Sequence, residues 1–193
     1  MVALFLYSDK SLQALTDRME RELREDIVSL KEGRFGLMRF LYKSIFKAST
    51  GAIVNAALAK NPNMLDFFMT FDDTMPLVLA GLPPSYFPAF TSAREFFVHA
   101  LVSWREDNCE LLQKRWEYFD KKLQEGKMQD LDGAKAQLAI FWASVSNTMP
   151  GTFWCVFHLL KNPTTLAKLE AEIKATWPNF QQPDSPLSID IES

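Results

Sequence analysis

FWASVSNTMPGTFWCVFHLL, residues 141 to 160, carries no formal charge, yet Ser144, Ser146, Asn147, Thr148 and Pro150 crowd its first half. Helical propensity surrounds it from Ala134 to Leu160 and meets no stop before Asn162-Pro163, because the residue before a proline is pushed out of helical geometry. This predicts a helix of about 27 residues, roughly 40 Å long at 1.5 Å per residue. A globule of this size has a radius of gyration of about 16 Å, so such a helix would cross the whole body. It is apolar on nearly every side and calls for neighbours all round, more than the other helices of a 193-residue chain readily supply. The sequence reads as the middle of something larger.

The segment also carries a built-in defect. Pro150 has no N–H to offer the carbonyl of Ser146, and its ring crowds that carbonyl, so the helix is expected to bend or open at residues 146 and 147. Ser144, Asn147, Thr148 and Gly151 follow at steps of three, one and three and share one face at the break. They make a short polar notch in an oily wall, suited to a flat apolar ligand and a small polar molecule. The same hydroxyls can instead satisfy backbone groups freed in a kinked helix with no ligand, and residue chemistry alone leaves both readings open.

Working outward, the signal is helical nearly throughout. From Ser8, a candidate N-cap, Leu12, Leu15, Met19, Leu23, Ile27 and Leu30 recur at three- and four-residue steps among charges, and Gly33 ends this amphipathic helix. A second helix is expected from Arg34 to Lys60, with Phe40, Leu41, Ile45, Phe46, Ile53 and Val54 as its apolar side and Ser44, Ala48, Ser49 and Ala52 allowing close packing. A third runs from about Asn63 to Leu79, and the three prolines of AGLPPSYFPAF then predict an irregular loop. The segment from Thr91 to Gln124 reads as one long helix whose second half is solvated on one side. The tail from Pro178 reads as loop, and no strand pattern or internal repeat is present.

Composition excludes several functions. The 21 basic residues against 24 acids, net charge -3, include no basic run interleaved with aromatics, so nucleic acid is not an expected partner. Cys109 and Cys155 have no C-x-x-C spacing, and His99 and His158 have no ligand-spaced companion, so no metal site assembles locally. Asp72-Asp73 reads as a solvated turn of helix and His158 as a packed or capping histidine. Trp104, Trp116, Tyr118 and Phe119 read as core and interface packing. The N-terminus lacks the basic n-region and cleavage site of a signal peptide.

Two blocks carry a family resemblance. F-W-A-S-x-x-N-T-x-P-x-x-F-W at 141 to 154, followed by LLKNP at 159 to 163, resembles the long I helix of a cytochrome P-450. It is most similar to the branch with cholesterol and oxysterol 7-alpha-hydroxylases, sterol 12-alpha-hydroxylase and prostacyclin synthase. FDDTMPLVLAGLP at 71 to 83, followed by Ala93-Arg94, is similar to the F helix and following loop of the 7-alpha-hydroxylases. The likeness spans roughly 8 to 177 and implies an all-α chain, the D to J helices of that mainly α fold without its β region and cysteine loop. The domain organisation implied is one partial domain over 1–193, with 178–193 leading towards a K helix.

The resemblance further implies roles. Ala143 and Ser144 would lie against haem, Ser144 replacing the family's usual glycine, and Ser146, Asn147 and Thr148 would form the oxygen and proton-delivery region. Most members place an acid and a threonine where Ser146 and Asn147 stand, whereas asparagine is usual in this branch. Trp142 and Asn147 would face a sterol, and Leu82, Pro83 and Phe87 would border its entrance. The implied partners are a sterol-like molecule, NADPH-cytochrome reductase and the endoplasmic reticulum membrane, reached through an N-terminal anchor.

Such an enzyme also needs a Phe-x-x-Gly-x-x-x-Cys-x-Gly loop and a Glu-x-x-Arg helix, and residues 1 to 193 contain neither. The expectation is a fragment, inactive alone, of a sterol-hydroxylating haem-thiolate monooxygenase. Two alternatives stand beside it. Residues 136 to 160 are 25 uncharged positions, long enough for a membrane span, although their polar side chains are costly in lipid. The stripe from Leu12 to Leu30 has the heptad-like spacing of a helical interaction module.

Overall fold

The computed structural model describes residues 9–30, 35–103, 105 and 110–176. Ser8, Gly33, Trp104, Cys109 and the tail from 178, each given a role by the sequence, lie outside the described residues. The elements are α1 (Asp9–Val28), α2 (Leu37–Ile53), α3 (Ala56–Ala59), α4 (Met64–Leu79), a 3-10 turn (Pro84–Tyr86), α5 (Pro88–Ser103), α6 (Glu110–Gln124), α7 (Asp132–Val145), α8 (Thr148–Lys161) and α9 (Pro163–Thr176). Every element of more than one residue among the described residues is helical, as expected for an all-α chain.

The amphipathic pattern of α1 becomes its docking on α2. Leu15 and Leu23 pack against the core, while Leu12 and Ile27 stay about half exposed, so the heptad-like stripe is spent partly on the chain's own interior. Lys47 on α2 reaches across to α1, its Nζ 2.8 Å from Asp26 and 3.3 Å from Glu22. Burial acts to lower the lysine's pKa, but the two carboxylates outweigh it and hold the ammonium above its ordinary range.

The expected helix over 34 to 60 is interrupted. The N–H groups of Val54 and Asn55 both donate to the Thr50 carbonyl, and the Asn55 side chain then accepts the N–H of Leu58, starting the short α3. The expected continuous helix from 91 to 124 is instead two, and the first begins earlier. Proline suits a first helical turn, so Pro88 opens α5 and the irregular loop shrinks to the turn before it.

Four phenylalanines from four helices meet at the centre. Phe68 of α4 lies 5.1 Å from Phe46 of α2, 5.5 Å from Phe141 of α7 and 6.2 Å from Phe97 of α5, centroid to centroid, and all four rings are buried. Tilted and edge-on pairs of this kind stabilise beyond their buried area. This cluster seats α7, which also packs on α2, α5 and α6. Gly133 permits the last of these contacts. A β-carbon there would stand 3.0 Å from the Trp116 ring and 3.1 Å from Cβ of Phe119.

Candidate functional site

The 27-residue helix expected over 134 to 160 is two helices of 14 residues each, and residues 146 and 147 form the break between them. The defect is the one Pro150 imposes, since the Ser146 carbonyl has no donor four residues on. The backbone opens without turning away: Ser146 (φ -58, ψ -33) and Asn147 (φ -89, ψ -27) both remain right-handed. Hydrogen bonding resumes at once, with Ser146 N–H donating to the Trp142 carbonyl at 2.9 Å and Gly151 N–H to the Asn147 carbonyl at 3.1 Å.

Because the helix is divided, no described helix is long and apolar enough to cross a membrane. The neighbours expected all round are present on one side only among the described residues. Val145, Met149 and Phe153 are buried, whereas Ala139, Ala143, Asn147, Gly151, Cys155 and His158 are exposed and Trp154 is half exposed. His158, expected to pack or cap near the helix end, stands in the last turn of α8 and stacks on Trp154 at 5.9 Å, on the exposed side of the helix.

The notch residues stand together as the spacing required. Asn147, Thr148 and Gly151 are exposed on the open side and Ser144 is half-buried beside them. Ser144 donates its hydroxyl to the Ile140 carbonyl (2.8 Å), Thr148 to that of Ser144 (2.7 Å) and Thr152 to that of Thr148 (2.8 Å). None of these three bonds goes to the Ser146 carbonyl; the Thr148 bond serves the carbonyl two residues before it, and each hydroxyl oxygen keeps its acceptor capacity. Asn147 makes no capping bond with its carboxamide. A β-carbon on Gly151 would have no neighbour within 4 Å, so the face is open there.

Trp142 points its polar edge elsewhere. Its indole N–H donates to Oδ1 of Asp72 at 2.6 Å, joining α7 to α4. Asp72 is therefore no solvated member of an acidic turn, although its neighbour Asp73 is exposed. Burial raises the Asp72 carboxyl above the ordinary range, opposed by the indole bond and aided by repulsion from Asp73. Tyr42 of α2 faces the same pair, and burial followed by the two aspartates pushes its phenol up as well.

The remaining residues given site roles, Leu82, Pro83 and Phe87, flank the 3-10 turn that follows α4. Leu82 and Pro83 are exposed and Phe87 packs against the core. In the sequence Asp72 reads only as part of a solvated turn, and Tyr42 and Gln137 carry no site role. Gln137 is 1% exposed, and its amide has no hydrogen-bond partner among the described residues. A half-buried tryptophan needs a partner for its N–H, and that was the available signal for Asp72. Among the described residues no three His, Cys, Asp or Glu side chains group as a metal site, and Cys155 is exposed on α8.

Comparison with known proteins bears on this arrangement. Cholesterol 7-alpha-monooxygenase of Cricetulus griseus is 32% identical over 149 residues, covering 72% of this chain and 29% of that protein. 25-Hydroxycholesterol 7-alpha-hydroxylase of Rattus norvegicus is 26% identical over 182 residues, 87% of this chain and 43% of that protein. Prostacyclin synthase of Bos taurus is 28% identical over 201 residues, 93% of this chain and 40% of that protein. The chain thus spans between 29% and 43% of the length of these relatives. The sequence profile of cytochrome P-450 matches residues 38–191, which take in the break and the helices on both sides of it, and the chain belongs to the cytochrome P-450 family.

Proposed function

We propose that this chain forms the helical, substrate-side part of a monooxygenase that hydroxylates a sterol or oxysterol. The observation that carries the reading is the open strip of small side chains, Ala143 and Gly151, on either side of the exposed Asn147 at the helix break. A flat apolar macrocycle such as haem fits beside Ala143 and Gly151, because their side chains are small and a β-carbon on Gly151 would have no neighbour within 4 Å. Haem, when bound, would supply one-electron and oxygen chemistry, with its thiolate from a cysteine loop outside residues 1–193.

In this reading Ala143 and Ser144 bear on the haem face. Asn147 offers a donor and an acceptor from one carboxamide and orients a small polar molecule beside Ser146 and Thr148. The Thr148 hydroxyl, its proton committed to the Ser144 carbonyl, offers only lone pairs outward and can receive a proton-bearing group there. Trp142 walls the sterol with its ring, and Leu82, Pro83 and Phe87 border the way in. Two relatives, a cholesterol 7-alpha-monooxygenase and a 25-hydroxycholesterol 7-alpha-hydroxylase, favour a sterol over other flat lipids. The chain's 193 residues do not turn over substrate by themselves, and the complete product works at the endoplasmic reticulum membrane with NADPH-cytochrome reductase as electron donor.

The test is to express the gene's complete product with haem and reductase and supply cholesterol and 25-hydroxycholesterol. Asn147→Ala is expected to lower kcat about 100-fold, within the usual range for removing a proton-handling group, with a smaller change in KM. Unchanged turnover in Asn147→Ala would remove Asn147 from the mechanism, and no hydroxylated sterol from the unmodified protein would remove the function.

A further inference from the structure

The pair Asp72 and Trp142 joins residues 70 positions apart and lies immediately before the helix break. Trp142 supplies two bonds at once. Its backbone carbonyl accepts the Ser146 N–H, the last bond of α7 before the open residues, and its indole donates to Asp72 on α4. The rotation of the final turn of α7 is therefore tied to α4 through one carboxylate oxygen. Apolar contacts at Val145 and Met149 hold the depth of this region, but they are non-directional and do not fix its rotation.

The other end of α4 leads into the loop with Leu82 and Pro83. One hydrogen bond thus stands between the segment assigned to substrate entry and the segment presenting Ser146 and Asn147. The anchorage is specific in its chemistry. Phe68 lies one turn before Asp72 and Phe141 one residue before Trp142, so the part-buried polar bond lies next to the aromatic contact between the same two helices.

We propose that Asp72 is a positioning residue: by accepting the Trp142 indole N–H it sets the orientation in which α7 presents the break residues Ser146 and Asn147 to substrate. It touches no reacting group itself. The positioning rests on geometry in this chain, while its consequence for sterol rests on the proposed function.

Two substitutions separate the contact from the fold. Asp72→Asn keeps an acceptor oxygen of the same reach, and Asp72→Leu removes it while keeping a side chain branched at Cγ. Amide hydrogen exchange is measured across residues 142–149 of the 193-residue chain, with the Trp142 indole N–H followed in parallel and identified by its loss in Trp142→Phe. Asp72→Leu is expected to speed exchange at Ser146 and Asn147 roughly fivefold to tenfold, the loss of about one hydrogen bond, and Asp72→Asn to stay within about twofold of the unmodified chain. The α1 and α2 amides should not change in either.

In the complete haem-loaded product, Asp72→Leu should lower kcat for the sterol several-fold more than it raises KM, with recovery in Asp72→Asn. Equal exchange at 146 and 147 in all three chains would overturn the positioning role, as would equal acceleration in both variants. If the exchange pattern holds and no sterol is bound or oxidised by the unmodified protein, the functional reading fails and the positioning of the break stands.

Discussion

At the scale of single residues, Asp72 carries a pH signature. Its folded-state pKa is raised, so the folded chain keeps this proton to higher pH than the unfolded chain does. Stability from this group is therefore greatest in acid and falls as pH rises from the unfolded value of 3.8 through the raised folded value, after which the loss is complete. Asp72→Asn should abolish that slope and raise stability near neutrality, because the indole keeps its acceptor while burial and Asp73 no longer act against a charge. Thermal melts of both chains across the acid range test this, and parallel curves would assign the slope to other carboxylates. The aspartate was legible in the sequence only as half of an acidic dipeptide. Its partner lies 70 residues away, and no local rule connects them.

At the scale of elements, glycine to alanine should have opposite signs in adjacent helices. Gly133→Ala forces a β-carbon against Trp116 and Phe119, where α6 and α7 touch, and overpacking of this kind is expected to outweigh the helix-propensity gain by about 1 kcal/mol. Gly151→Ala enters open space in α8 and should stabilise by roughly 0.5–1 kcal/mol. Denaturant midpoints at constant m-value decide both, and two changes of the same sign would contradict the packing described here. The break at 146 and 147 was readable in advance because proline acts locally, through a missing donor and a ring four residues from the carbonyl it crowds. The interruption after Ile53 was not readable. It depends on an asparagine capping the N–H of Leu58, a choice open to any asparagine and decided here by how α3 packs.

At the scale of the whole molecule, the four-phenylalanine centre binds α2, α4, α5 and α7 into one body. Phe68→Ala and Phe141→Ala should each cost about 3–5 kcal/mol. Their double-mutant cycle should show a coupling of about 0.5–1.5 kcal/mol, since each ring loses part of the other's contact. A coupling of zero in chemical unfolding would deny that the two rings act together. All-helical class and family were legible, the family from two short blocks whose residues lie in α7–α8 and α4. Which side of α8 is covered was not, because an apolar helix reads alike on every face until its neighbours are in place.

The claim that the open side of the break receives a flat apolar group is tested most directly at Gly151. A β-carbon there meets no neighbouring atom within 4 Å, and a leucine side chain extends from it into the face beside Asn147. Gly151→Leu in the gene's complete product should leave its thermal midpoint unchanged or higher and weaken haem retention and sterol affinity by more than about tenfold, a loss of at least 1.4 kcal/mol. Haem content and sterol affinity equal to those of the unmodified protein would contradict the account.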